Sequence, residues 1–326
     1  MKAVTLGASG VEISKIERPV PQPHQVLVKV RGCGLNRSDL LETQGQSFGH
    51  VSGDTKVLGG EFAGEIVELG SESQGLSVGE RVMCRGGAGW AEYALAHWRR
   101  SIPIKSDNIA WEQAATLQGA LQTMHDAIVT NGRFSAGQTV LIQGASSGVG
   151  LMGLQIARAK GAKFVIGTST NAERRARLPE FGANLVLDSQ DKDWVAKVLE
   201  ATDGAGVDIT IDMLSGNAIN KNMEATAIHG HIINIGRLAG MSGEFNFDLH
   251  AKRRLHYIGT TGRTRSIEEA VKVAQLANAD LWDLVVQGKI KPPIDKTFAL
   301  DDAAEALDRM NKNKHFGKIV LLPDDR

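Results

Sequence analysis

Several features that would define other protein classes are scarce or missing in this chain of 326 residues. Its two cysteines, Cys33 and Cys84, are too few for a disulfide framework or for a zinc site with four thiolate ligands. No apolar run reaches about 18 residues, the length that crosses a bilayer, and the opening apolar stretch is too short for a secretory signal peptide. We therefore expect a cytoplasmic protein without a membrane segment.

An excess of charge of either sign is also missing, because 37 acidic residues balance 37 basic ones. Such a chain has no general field that would attract nucleic acid or an anionic membrane. Local basic clusters at Lys252-Arg253-Arg254 and at Arg263 and Arg265 keep an RNA-associated role open as an alternative. The sequence has no internal repeat and no low-complexity block.

Glycine, by contrast, is abundant and scattered, with 37 residues, where about 7% of a chain is usual. The first hundred residues alternate short β-like runs with glycine turns, which predicts a β-rich domain. The pattern then becomes helical over Trp111–Ile128. Beyond it, strands alternate with helices, as in a parallel sheet covered on both faces. The predicted strands are 139–142, 163–167, 185–187, 207–211, 231–235 and 257–260.

The last part of the chain predicts two helices, at about 266–288 and 301–311, followed by a strand over 317–322. We expect this strand to return to the first domain. The alternating domain would then be inserted into the β-rich one.

The stretch Gly144-Ala-Ser-Ser-Gly-Val-Gly150 lies between a predicted strand and a predicted helix. Backbone N–H groups at a helix start bind phosphate, and small residues let the backbone come close to it. A glycine-rich turn also serves as an ordinary strand–helix corner, so the pattern alone does not decide. If a dinucleotide binds, its pyrophosphate contacts Ser146, Ser147, Gly148, Val149 and Gly150.

The tip of the second predicted strand favours NADPH over NADH. Where NAD-binding sheets place a carboxylate for the ribose hydroxyls, this chain has Thr168 and Ser169, followed by Arg174. Hydroxyl and guanidinium groups suit a 2′-phosphate. Some of the nearby arginines are expected only to solvate a helix, and Glu173 keeps NADH open.

Short-chain dehydrogenases carry a similar glycine turn but need a Tyr-x-x-x-Lys pair. The two tyrosines of this chain are Tyr93 and Tyr257, and the residues four positions later are His97 and Thr261. The short-chain interpretation is therefore excluded.

The chain resembles the medium-chain dehydrogenase/reductase superfamily over essentially its whole length, and within it the zinc-independent quinone oxidoreductase branch. The resemblance implies an α/β fold, with a GroES-like β-rich catalytic domain and a Rossmann domain that has a doubly wound parallel sheet. It implies a first catalytic segment over 1–120, an NADPH-binding domain over 121–264 and a return segment over 265–326. It further implies a cleft between the domains, NADPH-dependent reduction of quinones or related enones, and a homodimer. The motifs that carry it are Gly34-Leu-Asn-Arg-Ser-Asp-Leu40, Val57-Leu-Gly-Gly-Glu-Phe-Ala-Gly64, Val78-Gly-Glu-Arg-Val82, Trp90-Ala-Glu-Tyr93, the glycine turn and His315-Phe-Gly-Lys-Ile-Val320.

Zinc-dependent members of this superfamily hold a catalytic zinc, and their ligands align with Asn36, Gly60 and Gly119 of this chain. An amide and two glycines do not supply the sulfur and nitrogen ligands that zinc requires. The remaining metal-like spacing, His229-Gly230-His231, falls at a predicted turn. We predict no metal.

The resemblance also suggests individual site residues. Asn36 is expected beside the nicotinamide, with helix capping as its structural alternative. Related enoyl reductases place a tyrosine proton donor where Ser47 or Phe48 stands here, and we take these two as catalytic candidates with Asn36. Gln46, Leu121, Met124 and Met241 are weaker candidates for an apolar pocket, and core packing is the favoured interpretation for each of them. Further cofactor contacts are predicted at Ser189, Gly236, Arg237, Gly262, Arg263, Thr264 and Lys318, the last of which could instead pair with a carboxylate.

The sequence thus predicts a zinc-free NADPH:quinone oxidoreductase, because a quinone accepts hydride without help from a metal. The alternatives are an NADPH-dependent enone or 2-enoyl thioester reductase and a weakly catalytic NADPH-binding regulatory protein.

Overall fold

A computed structural model describes residues 1–7, 10–45 and 56–324 of the chain, with only the backbone of Lys56. The mixed α/β architecture predicted from the sequence is confirmed. Within the described residues, no helix is both long and apolar enough to cross a membrane.

The strands alternate with turns in the first hundred residues and with helices in the middle of the chain, as predicted. Their bounds are β1 Lys2–Gly7, β2 Gly10–Lys15, β3 Gln25–Gly34, β4 Lys56–Val57, β5 Glu61–Leu69, β6 Arg81–Arg85, β7 Tyr93–His97, β8 Ser101–Pro103, β9 Thr139–Ile142, β10 Phe164–Thr168, β11 Leu185–Leu187, β12 Val207–Asp212, β13 Thr226–Asn234, β14 His256–Gly259, β15 Ile294–Ala299 and β16 Lys318–Leu322.

The helices have these bounds: α1 Arg37–Thr43, α2 Trp111–His125, α3 Gly148–Ala159, α4 Ala172–Arg177, α5 Trp194–Ala201, α6 Ile219–Ala225, α7 Phe247–Arg253, α8 Ile267–Val286 and α9 Ala303–Asn311. The α-helix predicted over Trp111–Ile128 ends earlier, at His125, and a π-helical turn over Asp126–Asn131 follows it. The side-chain amide of Asn131 donates to the carbonyl oxygen of Asp126 across this turn, at 2.9 Å.

The chain forms two compact units. Unit 1 comprises 1–119, 265–275 and 292–326, and unit 2 comprises 120–264 and 276–291.

This division differs from the predicted return segment, since 276–291 belongs to unit 2. Polar side chains hold that stretch there. The carboxylate of Asp280 pairs with Lys160 at 2.5 Å and with His125 at 3.1 Å. The side chain of Gln155 exchanges two hydrogen bonds with the backbone of Lys291, each at 2.9 Å.

Unit 1 contains a seven-stranded sheet in the order β15-β16-β3-β5-β6-β8, with β7 paired to β3, and a three-stranded sheet in the order β2-β1-β4. The predicted final strand, β16, pairs antiparallel with β3, so that Leu321 lies opposite Cys33 and Val320 opposite Gly34. The backbone N–H of Leu35 then donates to the Ile319 carbonyl at 3.0 Å. This pairing brings the start of β16 next to the residues between β3 and α1.

Unit 2 is built on a six-stranded parallel sheet in the order β11-β10-β9-β12-β13-β14. In order of appearance this is 3-2-1-4-5-6, the order of a doubly wound dinucleotide-binding sheet. Leu141 and Ile166 are fully buried on its central strands. Sheets of this kind bind ligands at the carboxyl ends of their strands.

Candidate functional site

The glycine turn of unit 2, residues 144–150, connects β9 to α3 and has the geometry of an anion site. Ser147 is the N-cap of α3, and its hydroxyl oxygen accepts a hydrogen bond from the Gly150 amide at 3.0 Å. Gly144 has a φ of +70°, which favours glycine. A Cβ at position 150 would lie 2.7 Å from backbone atoms of Ala145, so the close approach requires glycine there too.

The turn leaves backbone donors available at the start of α3. Within the described part of the chain, the amide N–H groups of Gly148 and Val149 have no acceptor, as is usual in a first helical turn. The helix dipole adds positive potential at the same place. The turn therefore fits a pyrophosphate, and a nicotinamide dinucleotide bound there would contact backbone N–H groups rather than charged side chains.

Thr168, at the end of β10, uses its hydroxyl for hydrogen bonds at the start of the glycine turn. Its hydroxyl donates to Gln143 Oε1 at 2.7 Å and accepts from the Gly144 amide at 3.0 Å, and its side chain is fully buried. This arrangement holds the turn against β10 and engages the Thr168 hydroxyl as a donor to Gln143 and as an acceptor from Gly144.

Ser169, the next residue, is 5% exposed. Its hydroxyl is 3.0 Å from that of Ser146, which joins the tip of β10 to the glycine turn. Arg175 also reaches this tip, where it donates to the Ser169 carbonyl at 2.6 Å and pairs with Asp188 at 3.1 Å. The sequence favoured Arg174, which is half-buried at the start of α4. The sequence did not indicate that Arg175 would contact the tip of β10.

Beyond the ends of β12 and β13, unit 2 has a polar cavity of about 280 Å³. Asp212, the last residue of β12, is fully buried. Burial raises the pKa of its carboxyl above the ordinary value, although hydrogen bonds from the backbone N–H groups of Ser215 and Leu214 act to lower it. Ser215 has a φ of +57°, strained for a residue other than glycine. The residues lining the cavity are Ser215, Gly216, Ile219, Asn234, Arg237, Met241, Ser242, Gly243, Phe245 and Tyr257.

Gly236 and Arg237 follow β13, as predicted. The hydroxyl of Ser215 donates to the Gly236 carbonyl at 2.6 Å, and a Cβ at position 236 would lie 2.7 Å from the carbonyl oxygen of Met213. Arg237 lines the cavity. Ser189 follows β11, and the exposed stretch 262–264 follows β14. These residues therefore lie near the carboxyl ends of their strands.

Unit 1 contains a second polar site, formed by residues far apart in sequence. Asn36 takes the N-cap position of α1, and its side-chain amide donates to Glu61 Oε2 at 3.0 Å. Lys318 Nζ donates to Asn36 Oδ1 at 2.7 Å and to Glu61 Oε2 at 3.3 Å. The other oxygen of Glu61 accepts from the Gly119 amide at 2.5 Å. Glu61 is fully buried and Lys318 is 4% exposed, so this is an interior ion pair rather than a surface one.

Two further charged groups complete this site, which we call the Glu61 cluster: Asn36, Asp39, Glu61, Arg85 and Lys318. A carboxylate oxygen of Asp39 accepts from the Asn36 backbone N–H at 2.8 Å. Burial raises the pKa of the Asp39 carboxyl to about 6, although the hydrogen bond from Asn36 and the charges of Lys318 and Arg85 oppose that shift. Burial acts the same way on Glu61, but there Lys318, Arg85 and the hydrogen bonds outweigh it and lower the pKa.

The three positions that align with zinc ligands meet at this cluster. Asn36 and Gly119 both donate to Glu61, and a Cβ on Gly60 would lie 3.6 Å from Asp39 Oδ1. A Cβ at position 119 would collide with Arg85 Nη1 and with both Glu61 oxygens. A ligand side chain at 119 would therefore have to displace Arg85 and Glu61. Among the described residues, no group of three or more His, Cys, Asp or Glu side chains could hold a metal.

The remaining candidates have different outcomes. Ser47, Phe48 and Gln46 lie outside the described residues. Leu121 is 4% exposed and Met124 is fully buried, which suits core packing, whereas Met241 lines the cavity.

Sequence reasoning missed Glu61, Asp39 and Arg85 as site residues. In the motif Gly59-Gly60-Glu61, the resemblance concerned only Gly60, which aligns with a histidine ligand of zinc. A carboxylate directly after two glycines was the sequence feature that could have indicated Glu61 as a site residue.

Comparisons with known proteins agree with this architecture. Residues 22–106 match the family described as alcohol dehydrogenase GroES-like domain, and residues 148–278 match the family described as zinc-binding dehydrogenase. Quinone oxidoreductase of Mus musculus is 30% identical over 322 residues, which is 96% of this chain and 95% of that protein. The crystal structure of quinone oxidoreductase from Pseudomonas syringae pv. tomato DC3000 has a TM-score of 0.88 and 25% identity, and covers 99% of both chains.

A second kind of relative is much longer. A phenolphthiocerol/phthiocerol polyketide synthase of Mycobacterium tuberculosis is 31% identical over 312 residues. The match covers 95% of this chain but only 14% of the length of that synthase. A sequence similar to this chain thus occurs as a segment of a much longer protein.

Proposed function

The chain belongs to the quinone oxidoreductase-like branch of the medium-chain dehydrogenase/reductase superfamily, and on this premise we propose that it is an NADPH-dependent, metal-free quinone oxidoreductase. The observation that carries the proposal is the Glu61 cluster. An amide, two carboxylates, a lysine and an arginine lie together there, at the positions that by resemblance align with the zinc ligands of related enzymes. A reduced nicotinamide cofactor supplies hydride when it is bound. A quinone suits such a site because its reduction yields an aromatic phenolate that solvent protonates.

In unit 2, the chain's own groups would hold the cofactor. The amides of Gly148 and Val149 bind the pyrophosphate, and Ser146 lies at the same turn. Ser169 and Arg174 bind the 2′-phosphate, while Arg175 holds the backbone of Ser169 in place. The geometry that supports this proposal is the pairing of the Ser146 and Ser169 hydroxyls at 3.0 Å.

Other cofactor contacts follow the carboxyl ends of the strands. We assign Ser189 to the adenosine, and Gly236, Arg237 and residues 262–264 to the nicotinamide half. In unit 1, Asn36 orients the nicotinamide or the substrate. Ser47 and Phe48 keep their assignment to the substrate side on resemblance alone.

The test is a turnover assay with a panel of acceptors. Purified protein is mixed with NADPH or NADH and a series of benzoquinones and naphthoquinones, and oxidation is followed at the nicotinamide absorbance. We expect quinone-dependent oxidation with a preference for NADPH, unchanged after treatment with a zinc chelator. Absence of turnover with every quinone would refute the proposal, and loss of activity with the chelator would refute its metal-free part.

Reduction of an enone or a 2-enoyl thioester is the second candidate function. The match to a segment of a polyketide synthase supports it, because polyketide chains are built as thioesters. α,β-Unsaturated ketones and enoyl-CoA esters in the same assay separate the two reactions. NADPH binding without turnover of any acceptor would favour a regulatory protein instead.

We also propose that the protein is a homodimer joined at the edge of the parallel sheet. Among the described strands, β14 forms one of the two edges of this sheet, and its Tyr257 is 41% exposed. An unpaired strand edge is a template for pairing with another chain. Light scattering measures the mass directly, and a monomer at micromolar concentration would contradict this proposal.

A further inference from the structure

The buried charges of the Glu61 cluster are costly. Moving a carboxylate and an ammonium out of water is repaid only when their geometry and hydrogen bonds are good, and apolar residues of the same size often serve stability as well. Here Glu61 is fully buried and Lys318 is 4% exposed, in the interior of a β-rich unit. Stability alone therefore gives no reason for this pair, which suggests a role in the chemistry of the site.

The cluster fixes the orientation of the Asn36 amide. Its oxygen faces the Lys318 ammonium at 2.7 Å, and its nitrogen faces the Glu61 carboxylate at 3.0 Å. A flipped amide would place N–H groups against an ammonium and an oxygen against a carboxylate, and both contacts would be repulsive. Asn36 therefore has a single orientation.

This orientation determines what Asn36 can offer a ligand. A side-chain amide nitrogen has two N–H groups, and Glu61 accepts one of them. The other is a hydrogen-bond donor, whereas the amide oxygen is engaged with Lys318. Asn36 thus presents a donor, and its complement is an oxygen atom of the ligand.

We propose that Glu61 and Lys318 are positioning residues for hydride transfer, which act by holding Asn36 as a polarised donor to the carbonyl oxygen of the acceptor. This inference rests on the proposed function. Hydrogen bonds in a chain strengthen one another in a low-dielectric site. The ammonium withdraws electron density through the amide oxygen, so the second N–H of Asn36 becomes a stronger donor. Negative charge that develops on a carbonyl oxygen as it accepts hydride is then stabilised without a metal.

The proposal is tested first with three single variants. Lys318→Met removes the ammonium, and Asn36→Ala removes the amide. Glu61→Gln removes the negative charge and leaves one acceptor oxygen for the two donors, Asn36 and Gly119. Each is expected to lower kcat for quinone reduction about 10- to 100-fold, because a displaced donor no longer meets the reacting oxygen. The dissociation constant for NADPH, from fluorescence titration, should stay within about twofold, since the proposed effect is on the acceptor.

The double variant separates positioning from mere structure. If Lys318 acts through Asn36, Lys318→Met should lower kcat by less than about twofold further in the Asn36→Ala background. Lys318→Arg keeps the charge and should recover part of the lost kcat. Losses that multiply in the double variant would overturn the proposal. A weaker NADPH affinity with unchanged kcat would also overturn it, and would make Lys318 a cofactor-binding residue.

Lys296→Met is the matched control. Lys296 lies on β15, the strand next to β16, and it pairs with Glu305 of α9 at 3.5 Å, with both side chains exposed. Its kcat and NADPH affinity should equal those of the wild type. If Lys318→Met does not fold, Lys318→Met/Glu61→Gln removes both buried charges together and should show the same loss of kcat.

Urea unfolding of the cofactor-free protein gives a readout that is independent of turnover. The effects of Lys318→Met and Asn36→Ala on the free energy of unfolding should be non-additive, because the two side chains share a hydrogen bond. Wild-type protein that reduces no quinone would refute the proposed function. The positioning role would then be judged by this unfolding cycle, and additive effects would refute it.

Discussion

The glycine turn of unit 2 and the Glu61 cluster of unit 1 hold polar groups in opposite ways. The turn uses backbone amides within seven consecutive residues, from Gly144 to Gly150. The cluster uses side chains, and its central pair, Glu61 and Lys318, is separated by 257 positions in sequence. A site made from backbone tolerates changes of side chain as long as the chain path is kept, whereas a site made from buried charges depends on each partner. The four predictions below test this difference.

The largest effect is expected for Glu61→Ala. It leaves Lys318 buried without its carboxylate and removes the acceptor of Asn36 and Gly119, which should cost about 3–5 kcal/mol of unfolding free energy. Urea unfolding measures this loss. Glu305→Ala, which removes an exposed carboxylate of the same unit, should change stability by no more than about 0.5 kcal/mol. Equal losses of unfolding free energy in the two variants would mean that the buried carboxylate of Glu61 matters no more for stability than an exposed one.

Asp39 should make stability depend on pH. Its pKa is raised by burial to about 6 from an ordinary value of 3.8, so the folded state binds the proton more tightly than the unfolded state does. The contribution of Asp39 to the free energy of unfolding is fully present below about pH 4 and is lost as the pH rises through about 6. The total loss is about 3 kcal/mol.

Asp39→Asn should remove this dependence and narrow the difference in stability between pH 5 and pH 8. Urea unfolding at a series of pH values tests it. If Asp39→Asn has the same pH dependence of the free energy of unfolding as the wild type, another titratable group causes that dependence.

Gly150→Ala tests the backbone site. Its Cβ would meet the Ala145 backbone at 2.7 Å, which cannot move away as a flexible side chain can. We expect a loss of about 1–3 kcal/mol in stability and about tenfold weaker NADPH binding, as the amides move out of place. Gly87→Ala is the control, because a Cβ there meets no atom within 4 Å. Undiminished binding by Gly150→Ala would exclude the turn as the pyrophosphate site.

The smallest effect separates two neighbouring arginines. Arg174→Ala should weaken NADPH binding about tenfold, by loss of a charged hydrogen bond, with little change for NADH. Arg175→Ala should weaken both cofactors alike, because Arg175 supports the backbone of Ser169. Fluorescence titrations with the two cofactors measure this. The reverse result would assign the 2′-phosphate to Arg175.

The sequence was informative where the structure is local. The strands and the glycine turn of unit 2 follow from short runs of residues, and the predicted end strand is found in unit 1 as β16. The end of α2 was predicted too late, because the apolar pattern continues through a π-helical turn that periodicity does not distinguish from an α-helix.

The cluster shows why the rest of the site could not be predicted. The resemblance aligned Asn36, Gly60 and Gly119 with the zinc ligands of related enzymes, and the structure brings these three positions to one cluster. It gave no indication that Glu61 and Arg85 occupy the space beside Gly119. Lys318 was predicted as a cofactor contact or as the partner of a carboxylate that was not identified, and strand pairing between β16 and β3 places it in the interior beside Glu61. Such contacts depend on tertiary packing and leave no periodic pattern.

The pairing of β16 with β3 also has a consequence for the order of assembly. On the ribosome, Glu61 is made early, and Lys318 follows only after the whole of unit 2 has been synthesised. Until β16 docks, the carboxylate lacks its ammonium, and a closed interior around it is disfavoured. Unit 1 should therefore remain loosely packed during synthesis and close late, when a strand made after unit 2 supplies the missing charge.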